Sequence, residues 1–365
     1  PEIPWDVEGF TMSRDRSRLA FVVNEGGRSA LYLMDASTRE IRAVEGIPLG
    51  VIGSVSFSYD GARLGFSIST PRTSGDVYAL VLASGEIERW TESEIGGLDA
   101  STFVEPELVA YPTFDDERPG VRRKIPAWIY RPATNAAGAR VPVLISIHGG
   151  PESQSRPFFS SAFQLYVREL GMAVIVPNVR GSTGYGKTYV GLDNGFLRED
   201  SVRDIGALLD WIAEQPDLDP ERVVVMGGSY GGYATLAGMV HYADRLAGGV
   251  DIVGISNFLT FLANTQDYRR DLRRVEYGDE RDPEMRAFLE RISPANHVER
   301  MTKPMLIVQG YNDPRVPVSE SEQMVEALQA RGAEPWYLLA MNEGHGFRRK
   351  ENVDAMRDIV YLFLQ

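Results

Sequence analysis

Residues 222–242 constrain this chain more than any other segment. Arg222-Val223-Val224-Val225-Met226 reads as a short buried strand, Gly227-Gly228-Ser229-Tyr230-Gly231 fits the pattern G-x-S-x-G, and Tyr233 to Tyr242 is compatible with a helix. A strand that turns sharply into a helix holds the serine at the turn in a strained conformation with its hydroxyl exposed. Glycines flank the serine because a Cβ at those positions would collide with the adjoining strand and helix.

A serine hydroxyl is a poor nucleophile alone; it needs a base to take its proton and an acid to orient that base. The chain has four histidines, at 148, 241, 297 and 345. This strand–turn–helix element uses the order serine, acid, histidine, and His345 alone lies beyond Asp313. Asp313 sits in Gly310-Tyr311-Asn312-Asp313-Pro314, after the strand-like Met305–Val308. His345 sits in Glu343-Gly344-His345-Gly346, after the strand-like Trp336–Ala340. Taken singly, an Asp before Pro reads as a turn and a Gly-flanked His as a loop residue. At these joint positions, Ser229, Asp313 and His345 are the predicted triad. The oxyanion needs two backbone N–H groups. One is expected from Tyr230, after the nucleophile. The other is expected from His148-Gly149-Gly150-Pro151, a turn directly after strand Val143–Ile147, with His148 itself read as a structural hydrogen-bonding residue.

From Val141 onward, strands and helices alternate. Strands are expected at Val143–Ile147, Ala173–Val176, Val223–Met226, Val250–Val253, Met305–Val308 and Trp336–Ala340. Helices are expected at Ala162–Leu170, Val202–Glu214, across the charged stretch Asp267 to Ile292, at Ser319–Arg331 and from Asn352. That alternation predicts a mostly parallel sheet covered by helices, and with the serine turn it predicts an α/β-hydrolase domain over 111–365. Tyr111–Gly120, with two prolines and the cluster Asp115-Asp116-Glu117-Arg118, reads as a loop, Pro126–Tyr130 as a strand, and Arg131–Arg140 as a second linker.

Residues 1–110 are read as a separate β-rich region with an internal repeat. Ser13-x-Asp15-x-x-x-Leu19-x-Phe21 recurs as Ser58-x-Asp60-x-x-x-Leu64-x-Phe66, an offset of 45 residues. A four-stranded unit repeating at that period marks propeller blades. Two blades cannot close a ring, since propellers need about 4–8; the chain is a fragment, or a companion chain or second copy supplies the rest. The plainer alternative is a small two-unit β-domain.

The net charge of −13 argues against nucleic acid or an anionic membrane as partner. The chain has no cysteine, which excludes disulfides, a thiol nucleophile and thiolate metal sites. The longest apolar runs are strand-sized, far too short to span a bilayer. The chain begins Pro1-Glu2-Ile3, so a leader or an N-terminal region is expected to be missing, and a cytoplasmic setting is the expectation. No cofactor is expected. The histidines lack H-E-x-x-H spacing, and Gly181-Ser182-Thr183-Gly184-Tyr185-Gly186 is read as a turn rather than a phosphate cradle.

The chain resembles the prolyl oligopeptidase family of serine peptidases, especially the acylaminoacyl peptidase branch. The residues that carry the resemblance are His148-Gly149-Gly150-Pro151, the run PNVRGSTGYG at 177–186, Gly227-Gly228-Ser229-Tyr230-Gly231-Gly232-Tyr233, Ser293-Pro294-x-x-His297, Asn312-Asp313 and Gly344-His345-Gly346. The resemblance implies a peptidase acting on short peptides, with a propeller that screens out folded proteins. It implies oxyanion donors at Gly150 and Tyr230. Some branches carry a tyrosine hydroxyl donor where this chain has His148. The resemblance also implies an arginine holding a substrate carbonyl. Arg270 is taken for it over Arg269, although the cluster with Arg273 and Arg274 reads equally as a solvated helix face. Arg180 reads as a loop-fixing ion-pair residue at least as well as a substrate contact. A carboxylesterase with the same triad is the alternative, since this fold hosts both chemistries. A catalytically silent binding protein is the third reading.

Overall fold

The computed structural model describes residues 3–133 and 138–365. Part of the predicted linker at 131–140 therefore lies outside the described residues. The chain divides into two compact units, one of Pro1–Glu107, Gln154–Gln164 and Gly184–Gly186, the other of Leu108–Ser153, Leu165–Thr183 and Lys187–Gln365.

The first unit holds two four-stranded sheets, with strands in sequence order and antiparallel neighbours. One comprises β1 (Asp6–Met12), β2 (Arg18–Glu25), β3 (Arg28–Asp35) and β4 (Ile41–Ala43); the other, β5 (Val51–Phe57), β6 (Arg63–Ser69), β7 (Asp76–Val81) and β8 (Ile87–Arg89). The sequence repeat is a repeat of contacts. In the β1–β2 turn, Ser13 Oγ donates to Asp15 Oδ1 (2.7 Å) and accepts from Arg18 N (2.9 Å); in the β5–β6 turn, Ser58 Oγ donates to Asp60 Oδ1 (2.6 Å) and accepts from Arg63 N (2.9 Å). The left-handed position is Arg16 in the first turn and Gly61 in the second. Phe21 stacks on Tyr32 and Phe66 on Tyr78, each pair directly opposite across its ladder. Val22, Leu31, Leu33, Leu64, Phe66 and Ile68 from both sheets bury one common core. The later residues of this unit are tied in by polar contacts: Asn24 Nδ2 donates to Gln154 Oε1 (2.7 Å), and Arg156 donates to Gly27 O (2.7 Å) and pairs with Glu8 (2.6 Å).

The second unit is built on one eight-stranded sheet. Its strands are β9 (Glu107–Arg118), β10 (Val121–Tyr130), β11 (Val141–Ile147), β12 (Ala173–Pro177), β13 (Leu218–Gly228), β14 (Gly248–Ile252), β15 (Met305–Gly310) and β16 (Trp336–Ala340). The spatial order is β16-β15-β14-β13-β11-β12-β10-β9, with β11 to β16 all parallel and β10 antiparallel to β12. The helices are α1 (Ser161–Glu169), α2 (Lys187–Val190), α3 (Asp200–Glu214), α4 (Tyr230–His241), α5 (Phe258–Asn264), α6 (Asp267–Tyr277), α7 (Pro283–Ile292), α8 (Val318–Gln329) and α9 (Lys350–Leu364). This is the sheet expected of an α/β-hydrolase domain. The central strands are buried on both faces, so they read as continuous apolar runs such as Val141–Ile147. Among the described residues, no helix is long and apolar enough to cross a membrane.

Two expectations change. Tyr111–Gly120 is not a loop; most of it belongs to β9, which forms a hairpin with β10 around Pro119 and Gly120. Its acids pair with arginines: Asp115 with Arg123 (3.0 Å) and Arg180 (2.8 Å), Asp116 with Arg122 (3.7 Å). An edge strand tolerates both charge and Pro112. The stretch 267–292 is two helices. Gly278 ends α6 at φ +116°, and Asp282 caps α7 by accepting from the N–H groups of Glu284 and Met285 (both 2.9 Å), with Pro283 in the first turn.

Candidate active site

All the expected site residues of the parallel strands lie on one edge, because parallel strands end on the same side. Ser229 follows β13, the Gly149-Gly150 turn follows β11, Asp313 follows β15 and His345 follows β16. Ser229 has φ +60° and ψ −117°, a strained conformation for a residue with a Cβ. The chain is forced through it by close packing. A Cβ on Gly227 would lie 2.2 Å from Gly231 O, and one on Gly231 would lie 2.2 Å from Ile147 O. Gly149 is equally confined, with its Cβ position 2.8 Å from Gly228 O. The turn after β11 and the serine turn are therefore in backbone contact.

Asp313 is buried, and its two oxygens have separate tasks. Oδ1 accepts from the N–H groups of Arg315 (2.8 Å) and Val316 (3.0 Å); Oδ2 faces Nδ1 of His345 at 2.7 Å. The loops carrying these residues are joined through Asn312 N to Glu343 O (2.9 Å) and Tyr311 N to Ala340 O (3.0 Å). Glu343 anchors the far side of the histidine loop. Its carboxylate accepts from the N–H groups of Arg348 (3.1 Å) and Arg349 (2.9 Å) and from Asn352 Nδ2 (2.7 Å), and these bonds, Asn352 first, hold its pKa below the usual range. The structure thus brings Asp313 and His345 into direct contact. Among the described hydrogen bonds, none joins the Ser229 hydroxyl to His345.

Tyr230 opens α4 with its side chain fully buried. Its hydroxyl bonds Ser201 Oγ (2.7 Å) and donates to Asp193 Oδ2 (3.2 Å), and burial pushes its pKa well up. Arg198, also buried, donates to Asp193 Oδ2 (2.6 Å) and to Glu276 O (2.6 Å). Burial raises the Asp193 pKa to about 6 despite that arginine. His148 is half-buried between Gly149 O (2.8 Å from Nδ1) and Ser182 Oγ (2.9 Å from Nε2), and desolvation of its ring lowers its pKa. Arg180 is 2% exposed and held by Asp204 (2.9 Å) and Asp115 (2.8 Å), so its guanidinium fixes the loop after β12.

Gly150 has φ +131°. Its carbonyl accepts from two side chains of α6, Arg273 Nη1 (3.2 Å) and Tyr277 Oη (3.1 Å). Nothing in the sequence marks these contacts: the i, i+4 spacing puts Arg273 and Tyr277 on one helix face, but the partner lies 123 and 127 residues earlier. Arg270 stands elsewhere on α6. Its Nη2 donates to the carbonyls of Ala263 (3.0 Å) and Thr265 (3.2 Å) and pairs with Asp267 (3.0 Å). His241 pairs with Glu199 (3.1 Å), and His297 Nε2 bonds Arg291 O (2.6 Å). Among the described residues, no group of three or more His, Asp or Glu could hold a metal ion.

A serine on a strained strand-to-helix turn and an Asp–His pair on the same sheet edge describe a hydrolase constellation. Comparison with known proteins places it in a family. The family model described as "Prolyl oligopeptidase family" matches residues 157–365, more than half of the chain. The chain belongs to the prolyl oligopeptidase family. Among curated members and their kin, it is 38% identical over 231 residues to dipeptidyl aminopeptidase BIII of Pseudoxanthomonas mexicana, covering 62% of this chain and 33% of that protein. It is 26% identical over 270 residues to the acylamino-acid-releasing enzyme of Arabidopsis thaliana, covering 72% of this chain and 35% of that one. A solved puromycin hydrolase superposes with a TM-score of 0.85 at 26% identity, over 97% of this chain and 52% of that one. The chain thus spans between a third and about half of the length of these prolyl oligopeptidase relatives.

Proposed function

We propose that this chain carries the catalytic machinery of a serine peptidase that hydrolyses short peptides through an acyl-enzyme. The observation that carries the reading is the buried Asp313 bonded at 2.7 Å to Nδ1 of His345, on the sheet edge where the strained turn presents Ser229. Ser229 Oγ attacks the scissile carbonyl while His345 Nε2 takes its proton. Asp313 keeps the proton of the imidazole on Nδ1 and stabilises the imidazolium. The N–H groups of Gly150 and Tyr230 receive the oxyanion. His345 then protonates the leaving amine, and water, deprotonated by the same imidazole, releases the acid and restores Ser229.

Peptides as substrates are supported by family membership and by relatives named as dipeptidyl aminopeptidase and acylamino-acid-releasing enzyme. We read the two four-stranded sheets of residues 1–110 as blades of a β-propeller and residues 111–365 as the catalytic domain. The repeated Ser–Asp turn and the repeated aromatic pair support the blade reading. Arg270 is carried as a contact for a substrate carbonyl; an Arg270→Met variant with unchanged KM removes it from the site.

The test compares kcat/KM for matched acetyl-aminoacyl anilide, free-amino dipeptidyl anilide and p-nitrophenyl ester substrates, with puromycin added to the panel and Ser229→Ala as control. Hydrolysis of an anilide that Ser229→Ala abolishes supports the peptidase, and the preferred amino-terminus identifies the mode. Ester turnover alone replaces the reading with a carboxylesterase. Failure of Ser229 to react with a fluorophosphonate overturns both.

A further inference from the structure

Gly150 combines two features that call for an external hold. Its φ of +131° is a conformation that only glycine adopts readily, and a Cβ there would lie 2.6 Å from Glu152 N. Glycine torsions are soft, so the residue itself does little to keep its peptide planes in one orientation. Yet the N–H of Gly150 is useful as an oxyanion donor only if it is already aimed before charge develops, since reorganisation at that moment cancels the gain.

The hold comes from α6. Arg273 Nη1 and Tyr277 Oη both donate to the Gly150 carbonyl, at 3.2 and 3.1 Å. Each donor is in turn restrained. Glu276 Oε2 accepts from the same Nη1 of Arg273, and the carboxylate is only 6% exposed. The Tyr277 ring is 2% exposed and stacks on Tyr230 at 6.0 Å and 23°, while Arg198 lies over both rings at 4.9 and 5.2 Å. Arg198 also donates to the backbone carbonyl of Glu276 at 2.6 Å, which ties α6 to Asp193 and thus to the Tyr230 hydroxyl.

We infer that Arg273 and Tyr277 are positioning residues that set the oxyanion donor at Gly150, and that the buried Arg198–Asp193 pair couples this hold to Tyr230. The inference rests on the proposed serine-hydrolase reading. Neither residue touches the reacting atoms: they restrain the carbonyl of Gly150 and, through it, the torsions that aim the preceding N–H. The two proposed donors come from turns after different strands, β11 and β13, and α6 touches both residues, bonding Gly150 O through Arg273 and Tyr277 and stacking the Tyr277 ring on Tyr230.

The experiment measures steady-state kinetics for Tyr277→Phe, Arg273→Met and Arg273→Lys on the anilide that the wild type cleaves. Tyr277→Phe keeps the ring and its stacking and removes one donor. Arg273→Met keeps the apolar stem and removes the other. Each is expected to lower kcat about 10- to 100-fold, the range for outer residues that orient reacting groups, with KM within about threefold. Inhibition by a peptide boronic acid, whose tetrahedral adduct carries the oxyanion, weakens by the same factor. Binding of the product peptide, measured in the Ser229→Ala background, stays unchanged. Arg273→Lys recovers part of the loss because an ammonium can reach the same carbonyl. Unchanged kcat in Tyr277→Phe and Arg273→Met overturns the inference, as does parallel weakening of boronate and product binding. If Arg273→Met does not fold, Tyr277→Phe decides alone. A wild type that neither cleaves substrate nor reacts with a fluorophosphonate fails the serine-hydrolase reading first, and the inference falls with it.

Discussion

Replacing Asp313 by Asn tests the proposed triad through a single atom. In the native protein, Oδ1 accepts from two backbone N–H groups at 2.8 and 3.0 Å, and Oδ2 holds His345 Nδ1 at 2.7 Å. An asparagine must put its NH2 at one of these two positions. Placed at Oδ1, it would oppose the N–H groups of Arg315 and Val316 and strand both, at roughly 1–3 kcal/mol each. Placed at Oδ2, it keeps both backbone bonds and donates to Nδ1 of His345. The second arrangement wins by several kcal/mol. Nδ1 then has to be a lone pair, so the imidazole proton moves to Nε2, the nitrogen that should receive the serine proton. The base is occupied, with almost no change in packing. The expected loss in kcat is about 10³- to 10⁴-fold, or about 4–5.5 kcal/mol of transition-state stabilisation. The assay is kcat/KM for Asp313→Asn against wild type, with the rate of fluorophosphonate labelling as a parallel readout and thermal unfolding as the folding control. A folded Asp313→Asn enzyme within tenfold of wild type refutes the assignment of Asp313 as the orienting acid.

Three further outcomes follow from the packing. Gly231→Ala places a Cβ 2.2 Å from Ile147 O and 2.9 Å from His148 O, both backbone atoms, so the serine turn and the β11 turn must separate; loss of fluorophosphonate labelling together with a lowered melting temperature is expected. Asp204→Ala leaves the guanidinium of Arg180, 2% exposed, without its main partner, and denaturant unfolding should show a loss of about 3–5 kcal/mol. Asp251 is buried on β14, and burial lifts its pKa to about 7. A carboxyl whose folded pKa is raised binds its proton more tightly in the native state, so its contribution to stability is full near pH 4 and is lost as pH rises to about 7. Asp251→Asn, which stays neutral, should therefore gain stability relative to wild type across that window, by up to roughly 1.4 kcal/mol per pH unit; a pH-independent difference counts against a buried protonated Asp251.

Much of the catalytic half was legible because its signals are local. In the elbow at 227–231, backbone contacts of 2.2 Å leave room only for glycine at Gly227 and Gly231, whereas Gly228, expected to be equally confined, has 3.7 Å of clearance. Strand β16 begins and ends where its apolar run Trp336–Ala340 placed it, although it is the sheet's edge strand and only Ala340 is buried. The 45-residue repeat was readable because each Ser–Asp turn is closed by residues two to five positions apart. Charge misled the reading at Asp115–Arg118, where acids typical of a loop belong to an edge strand that arginines from β10 and the β12 loop neutralise. It misled again at 267–292, where helical composition on both sides masked the break at Gly278.

Sequence alone determined that Ser229, Asp313 and His345 sit in turns after strands and on which side of the sheet they emerge, because turn glycines, strand runs and chain order are encoded within a few positions of each other. Only the tertiary structure decided which oxygen of Asp313 faces His345, and that Arg273 and Tyr277 rather than Arg270 reach Gly150. Those contacts join residues 32 to 127 positions apart. A side chain's partner across such a distance is set by how helices and loops pack on the sheet, and no local pattern records it.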